Sequence, residues 1–187
     1  EVTKWEREAK GKRARHAGNY GLEEFRLSQM AQIAIKEARL ILDRFHQANP
    51  NIQKVFHRTV QELLKNKRVL SNPFGRRRDF FQRITKKAFK IGYSWYPQST
   101  CTDLTKFAML AIRNQIVDKQ SFMWLGEFHD GMWWQSKDSE FEQHSLVVKS
   151  RMEQSCSFKE GSFPLDYQVL PIDISKSKES WGNMEEI

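Results

Sequence analysis

The chain has 187 residues, 39% of them hydrophobic, and 31 Lys and Arg against 23 Asp and Glu give a net charge of +8. That length supports one sizeable domain, or most of one, with a hydrophobic core, and the charge favours a polyanionic partner through phosphate neutralisation and counterion release. Two cysteines, Cys101 and Cys156, exclude a disulfide framework, and the apolar runs fall far short of the roughly 20 residues that span a bilayer. The expected setting is a reducing cytoplasm, with no membrane partner.

Residues 3–17, TKWEREAKGKRARHA, carry many cations and few apolar positions, which predicts an exposed basic helix ending near Gly18-Asn19. The chain begins inside this charged pattern, at Glu1 rather than Met, so further sequence is expected to precede it. Lys12, His16 and Tyr20 are spaced four apart and share one helical face, with a cation, an imidazole and an aromatic ring in a row. Such a face can hold a nucleotide or simply be a solvated basic helix.

Ile35, Ala38, Leu42 and Phe45 recur at helical spacing until Asn49-Pro50-Asn51, and Ile52, Val55, Phe56 and Leu63 begin a second amphipathic helix. Residues 68–81, RVLSNPFGRRRDFF, read as a strand, a turn and a basic strand. Thr100-Cys101-Thr102-Asp103 has the form of a capping box, followed by a buried stripe of Leu104, Phe107, Ala108, Ala111 and Ile112.

Residues 122–135, FMWLGEFHDGMWWQ, place two β-prone runs around Asp130-Gly131, a hairpin signal in which both central residues of a type I′ turn take positive φ. On these residues alone, Asp130 either makes the turn or holds a ligand there. Ser139 with Glu142 is expected to cap a helix to about Glu153, and Leu165, Tyr167 and Val169 alternate as a strand before a polar, Trp-bearing tail.

The string GKRARHAGNYG resembles the fingers helix of family A DNA polymerases, the bacterial DNA polymerase I type, especially bacteriophage members, in which a Lys and a Tyr-Gly are spaced as Lys12 and Tyr20-Gly21 are. FGRRRDFF (74–81), YPQSTCTD (96–103) and the His129-Asp130 hairpin follow in that family's order, and the ending WGNMEEI is similar to a phage polymerase terminus. The resemblance implies an α+β fold: a helical fingers segment packed on a palm-type antiparallel sheet with a catalytic β-hairpin, part of a right-hand polymerase fold. Residues 1–66 would be fingers-type helices and helices returning toward the palm, and 67–187 the C-terminal half of the palm.

The resemblance also implies the activity, a DNA-directed DNA polymerase adding deoxynucleotides to a primer, and the site residues. Asp130 would be a metal ligand and His129 would lie beside the primer terminus. Lys12, with His16, Tyr20 and Arg7, would bind the deoxynucleoside triphosphate. Arg76, Arg77, Arg78 and Gln98 would contact primer-template DNA. The residue types suit this chemistry: guanidinium forks match phosphates, Gln can donate to minor-groove acceptors common to all base pairs, and two Mg²⁺ ions roughly 3.5–4 Å apart need few protein carboxylates.

Three departures qualify the resemblance. Gly131 stands where the family places Glu. Position 8 is Glu8 where an Arg is expected, and Arg7, one residue earlier, is turned by roughly 100° on a helix. The family's Asp-Tyr-Ser-Gln-Ile-Glu motif, bearing the other metal-binding Asp, is absent. The expectation is therefore a C-terminal portion, split or cleaved, active only with an N-terminal polypeptide that carries that Asp and shares the Mg²⁺ pair. If a phage encodes it, the cytoplasm is the host's. The alternatives are a fragment of a phage-type single-subunit RNA polymerase and a non-catalytic nucleic-acid-binding subunit of polymerase-like fold.

Overall fold

A computed structural model describes Arg7 and residues 11–116, 120–128, 131–154, 156–158, 162–163 and 165–186. The fold is α+β. The chain divides into two compact units, Glu1–Ser71 with Arg76–Pro97, and Asn72–Gly75 with Gln98–Ile187.

In the first unit, helices α1 (Arg13–Tyr20), α2 (Glu24–Ala31) and α3 (Ile35–Ala48) pack through small residues. Ala14, Ala17, Leu27, Ala31, Ala38 and Leu42 form one buried cluster. The basic helix is therefore not exposed all round. It also runs through Gly18 to Tyr20, because Gly18 serves packing rather than termination: a Cβ there would lie 2.2 Å from the Phe45 ring. The stop comes at Gly21, whose φ of +66° is the left-handed conformation that glycine adopts at least cost, and whose N–H reaches the Ala17 carbonyl. Helix α2 carries no clear sequence signal of its own, being short and held by its neighbours.

A π-helical stretch, Ile52–His57, leads into α4 (Arg58–Asn66). Strands β1 (Val69–Ser71) and β2 (Arg77–Asp79) then pair antiparallel, with Leu70 opposite Arg78, as the strand–turn–strand pattern predicts. Val60, Leu64 and Leu70 are fully buried around Gly92 of α5 (Lys86–Gln115), where an added Cβ would come within 2.8 Å of Val60.

Helix α5 is the main departure from the predicted elements. It does not start at a Thr100 cap but runs continuously through Pro97, and Thr102 and Thr105 donate their hydroxyls back to the carbonyls of Gln98 and Cys101. Asp103 caps nothing; it is buried and accepts a hydrogen bond from Asn72. Of the expected stripe, Ala108 and Ile112 are buried, while Phe107 is exposed on one side and meets Phe74 with ring centroids 5.0 Å apart.

In the second unit, β3 (Phe122–Phe128) and β4 (Gly131–Ser136) form the expected hairpin, with a bulge between Trp124 and Gly126. Its inner side packs Phe122 with Ile112 and with Val148 of α6 (Phe141–Met152). A short 3₁₀ turn, Asp138–Glu140, leads into α6, and no side-chain cap bond forms at the helix start, so the predicted Ser139 cap is replaced by local backbone bonding. The pairs β5 (Cys156–Phe158) with β6 (Leu165–Gln168), and β7 (Ser175–Lys176) with β8 (Glu185–Glu186), complete the described strands. No helix among the described residues is long and apolar enough to cross a membrane.

Candidate nucleotide and DNA site

Helix α1 presents two faces of different chemistry. Ala14, Ala17 and Gly18 point into the core, so the fourfold spacing turns Lys12, His16 and Tyr20 the other way. Lys12 and His16 are exposed and Tyr20 is half-buried. The His16 and Tyr20 rings meet edge to face, with centroids 4.2 Å apart and planes at 85°. Lys12 lies at the start of the helix. Arg7, ahead of α1 in the chain, is exposed.

The Tyr20 end of α1 is held from behind by residues that the sequence does not single out. His57 Nε2 lies 2.7 Å from the Asn19 carbonyl oxygen, so this nitrogen carries the proton and donates. The His57 ring stacks on Tyr93 at 3.9 Å with planes 19° apart. Gln61 donates its amide to the Tyr93 hydroxyl at 2.7 Å. Burial holds the His57 imidazole below the ordinary histidine range and raises the Tyr93 phenol above its own. His57 escapes sequence reasoning because its partner Asn19 is 38 residues away; locally it is one more polar residue beside Phe56.

Arg76, Arg77 and Arg78 are all exposed. Arg77 and Arg78 can be so on one strand because the two-stranded ribbon leaves both faces of β2 open, and Arg76 immediately precedes that strand. Arg77 has Asp79 as a loose partner at 3.5 Å, and the Arg78 guanidinium rests 5.3 Å from the Phe80 ring centroid. Phe80 is itself buried, and its N–H bonds the Arg68 carbonyl, which anchors the strand end.

In the second unit Gln98 is exposed on α5, one residue before buried Ser99. Asn72 is fully buried; its amide donates to Asp103 at 2.7 Å and to Ser99 at 3.4 Å, and its side-chain oxygen accepts from Phe74 N–H at 3.0 Å. The turn before the arginines is thereby fixed, with Gly75 at φ +80°.

His129 and Asp130 lie outside the described residues. The strands on either side are described up to Phe128 and Gly131, which pair directly. Gly131 is thus a strand residue, and the Asp-Gly turn expectation rests on Asp130, which lies outside the described residues. A Cβ at Gly131 would make only an ordinary 3.5 Å contact with the Phe128 carbonyl. Among the described residues, no three His, Cys, Asp or Glu side chains gather as a metal site.

Comparison with solved structures finds the POL domain of Pol1 from M. smegmatis, in complex with DNA primer-template and dNTP, at a TM-score of 0.73 and 22% identity. The match covers 91% of this chain and 30% of that one, so this chain spans less than a third of the polymerase domain it resembles. No curated protein matches the chain. The profile of DNA polymerase family A matches residues 1–176, nearly the whole length, and on that match the chain belongs to DNA polymerase family A.

Proposed function

We propose that the chain is the C-terminal catalytic part of a DNA-directed DNA polymerase, acting on primer-template DNA and deoxynucleoside triphosphates. The observation that carries this reading is the outer face of α1. Lys12 and the His16–Tyr20 ring pair stand there opposite a packed core face, ending at a left-handed Gly21, in a chain matched to family A over 1–176. In this reading residues 1–66 supply fingers helices, and 67–187 supply the C-terminal half of the palm with its hairpin at about 122–135.

The proposed roles follow from side-chain chemistry. Lys12 is a point charge for the outer phosphates of the incoming nucleotide, His16 reaches phosphate or sugar, and Tyr20 offers a ring near the base. Arg7 is assigned to the same triphosphate from ahead of α1 in the chain. Arg76 to Arg78 neutralise duplex phosphates, and Gln98 donates to minor-groove acceptors that carry little sequence information. His129 is assigned to the primer terminus.

Asp130 is a hard oxygen donor, the class that Mg²⁺ prefers, and Mg²⁺ needs only one or two protein carboxylates beside substrate phosphates and water. One Asp therefore fits as part of the ligand set, and the second carboxylate is assigned to an N-terminal polypeptide or upstream segment. The chemistry that bound Mg²⁺ supplies is activation of the primer 3′-hydroxyl and charge neutralisation on the triphosphate. A cytoplasmic location follows from such a role.

The test is primer extension by this chain alone, by an N-terminal polypeptide bearing the upstream Asp, and by the mixture, each with and without Mg²⁺. Synthesis is expected only from the mixture, and Asp130→Asn, which removes the charge but keeps the shape, should abolish it while DNA binding persists. Robust synthesis by this chain alone would overturn the divided site, and near-normal turnover by Asp130→Asn would return Asp130 to a structural role.

A further inference from the structure

Tyr20 sits at the last residue of α1, where the backbone is least supported by the helix's own hydrogen bonds. A side chain in such a place keeps one direction only if something outside the helix fixes it. Two contacts do so, both from residues distant in the chain. The Asn19 carbonyl, one residue before Tyr20, accepts from His57 Nε2 at 2.7 Å. The Tyr93 ring fills the space beside Gly21, one residue after Tyr20, where an added Cβ would come within 3.0 Å of it. His57 and Tyr93 are themselves stacked at 3.9 Å, and Gln61 bonds the Tyr93 hydroxyl. The residues before and after Tyr20 are therefore gripped by one aromatic pair.

We propose that His57 is a positioning residue for Tyr20: by donating to the Asn19 carbonyl while lying flat on Tyr93, it fixes the end of α1 and so the direction of the Tyr20 ring toward the incoming nucleotide. This rests on the reading of the outer face of α1 as the nucleotide site. His57 touches no substrate in this role. The residue is 7% exposed and its ring N–H is already committed to the backbone. The depressed basicity of the buried ring agrees with a neutral donor at neutral pH.

Two substitutions separate the hydrogen bond from the packing. His57→Phe keeps an aromatic ring against Tyr93 and removes the donor; His57→Gln restores an N–H donor without the aromatic stack. In the assembled polymerase, His57→Phe should raise the nucleotide KM on the order of five-fold, the equivalent of one part-buried hydrogen bond, with primer-template affinity unchanged. His57→Gln should recover part of that loss. Hydrogen exchange gives a second readout that needs no activity. The Gly21 and Leu22 amides, both bonded to the Ala17 carbonyl, should lose protection in His57→Phe relative to amides in α3.

Unchanged exchange at Gly21 and Leu22 would overturn the clamp. Loss of protection with an unaltered nucleotide KM, while Tyr20→Ala raises that KM, would overturn the positioning role and leave the nucleotide site standing. An unaltered KM in Tyr20→Ala would instead sink the nucleotide-site reading and the positioning role with it.

Discussion

The amide of Asn72 donates to the carboxylate of Asp103 across 2.7 Å, with both side chains shut away from water. The same Asn accepts the Phe74 N–H, so one buried side chain ties the turn before Arg76 to the middle of α5. Removing it leaves a buried carboxylate short of a donor, the costly half of a hydrogen-bond deletion. Asn72→Ala should lower the unfolding free energy by about 2–3 kcal/mol. A denaturant titration would read this as an earlier midpoint at unchanged slope; a shift below about 0.5 kcal/mol, the usual range for surface changes, would show that the pair contributes little.

Lys12 stands exposed at the start of α1. If it grips the triphosphate, Lys12→Ala removes a charge-assisted contact, and the nucleotide concentration needed for half-maximal incorporation should rise on the order of ten-fold. Primer-template affinity should stay close to the parent value. Steady-state incorporation at varied nucleotide, in the assembled enzyme, makes the comparison, and an unchanged nucleotide response would remove Lys12 from the site.

The arginines of β2 give a prediction about salt rather than affinity alone. A guanidinium on a phosphate carries no base preference, so neutralising Arg78 should weaken binding to unrelated duplexes equally. It should also flatten the dependence of log affinity on log salt by about 0.9. Arg77 shares its charge with Asp79 at 3.5 Å, an exposed and screened pair, so Arg77→Ala should change the slope by no more than Arg78→Ala does. Binding losses that differ between sequences would mean that these side chains read bases.

Buried histidines make stability depend on pH in a definite direction. Burial lowers the basicity of His57, helped by neighbouring His46 and partly opposed by the Asn19 carbonyl; burial also lowers His46, partly opposed by Asp43. The unfolded chain takes up these protons near the ordinary histidine value of about 6.5, while the folded chain takes them up only at lower pH. Stability should therefore fall as the pH drops below about 6.5 and stop falling, for these groups, once the folded-state values are passed. Urea midpoints between about pH 7.5 and about pH 5 should decline less steeply for His57→Phe than for the parent chain; parallel declines would refute the assignment.

What the sequence made legible follows from where each interaction sits. Hairpin β3–β4, strands β1 and β2 and helix α3 rest on local periodicity and turn residues, and they appear where that periodicity puts them. The continuous α5 is hidden in the sequence because Thr100 and Asp103 have capping chemistry. Their caps are unnecessary when Thr102 and Thr105 bond back along the helix and Asp103 is claimed by Asn72, 31 residues away. Gly18 and Gly131 have the look of punctuation because glycine usually is, yet one serves a helix contact and the other occupies a strand. The fourfold spacing placed Lys12, His16 and Tyr20 on one face of α1. The support behind that face, His57 with Tyr93 and Gln61, comes from distant segments and leaves no local pattern to read.

Gly18 has a mechanical meaning. With no side chain between α1 and the Phe45 ring, the two helices interlock at a separation that one methyl group would break. A shift of α1 toward α3 would drive its backbone into that ring, so the outer face of α1 is coupled to the position of α3. A reporter at Leu40, which is exposed on α3, would then track the travel of Lys12 and His16 without touching the face of α1 on which they stand.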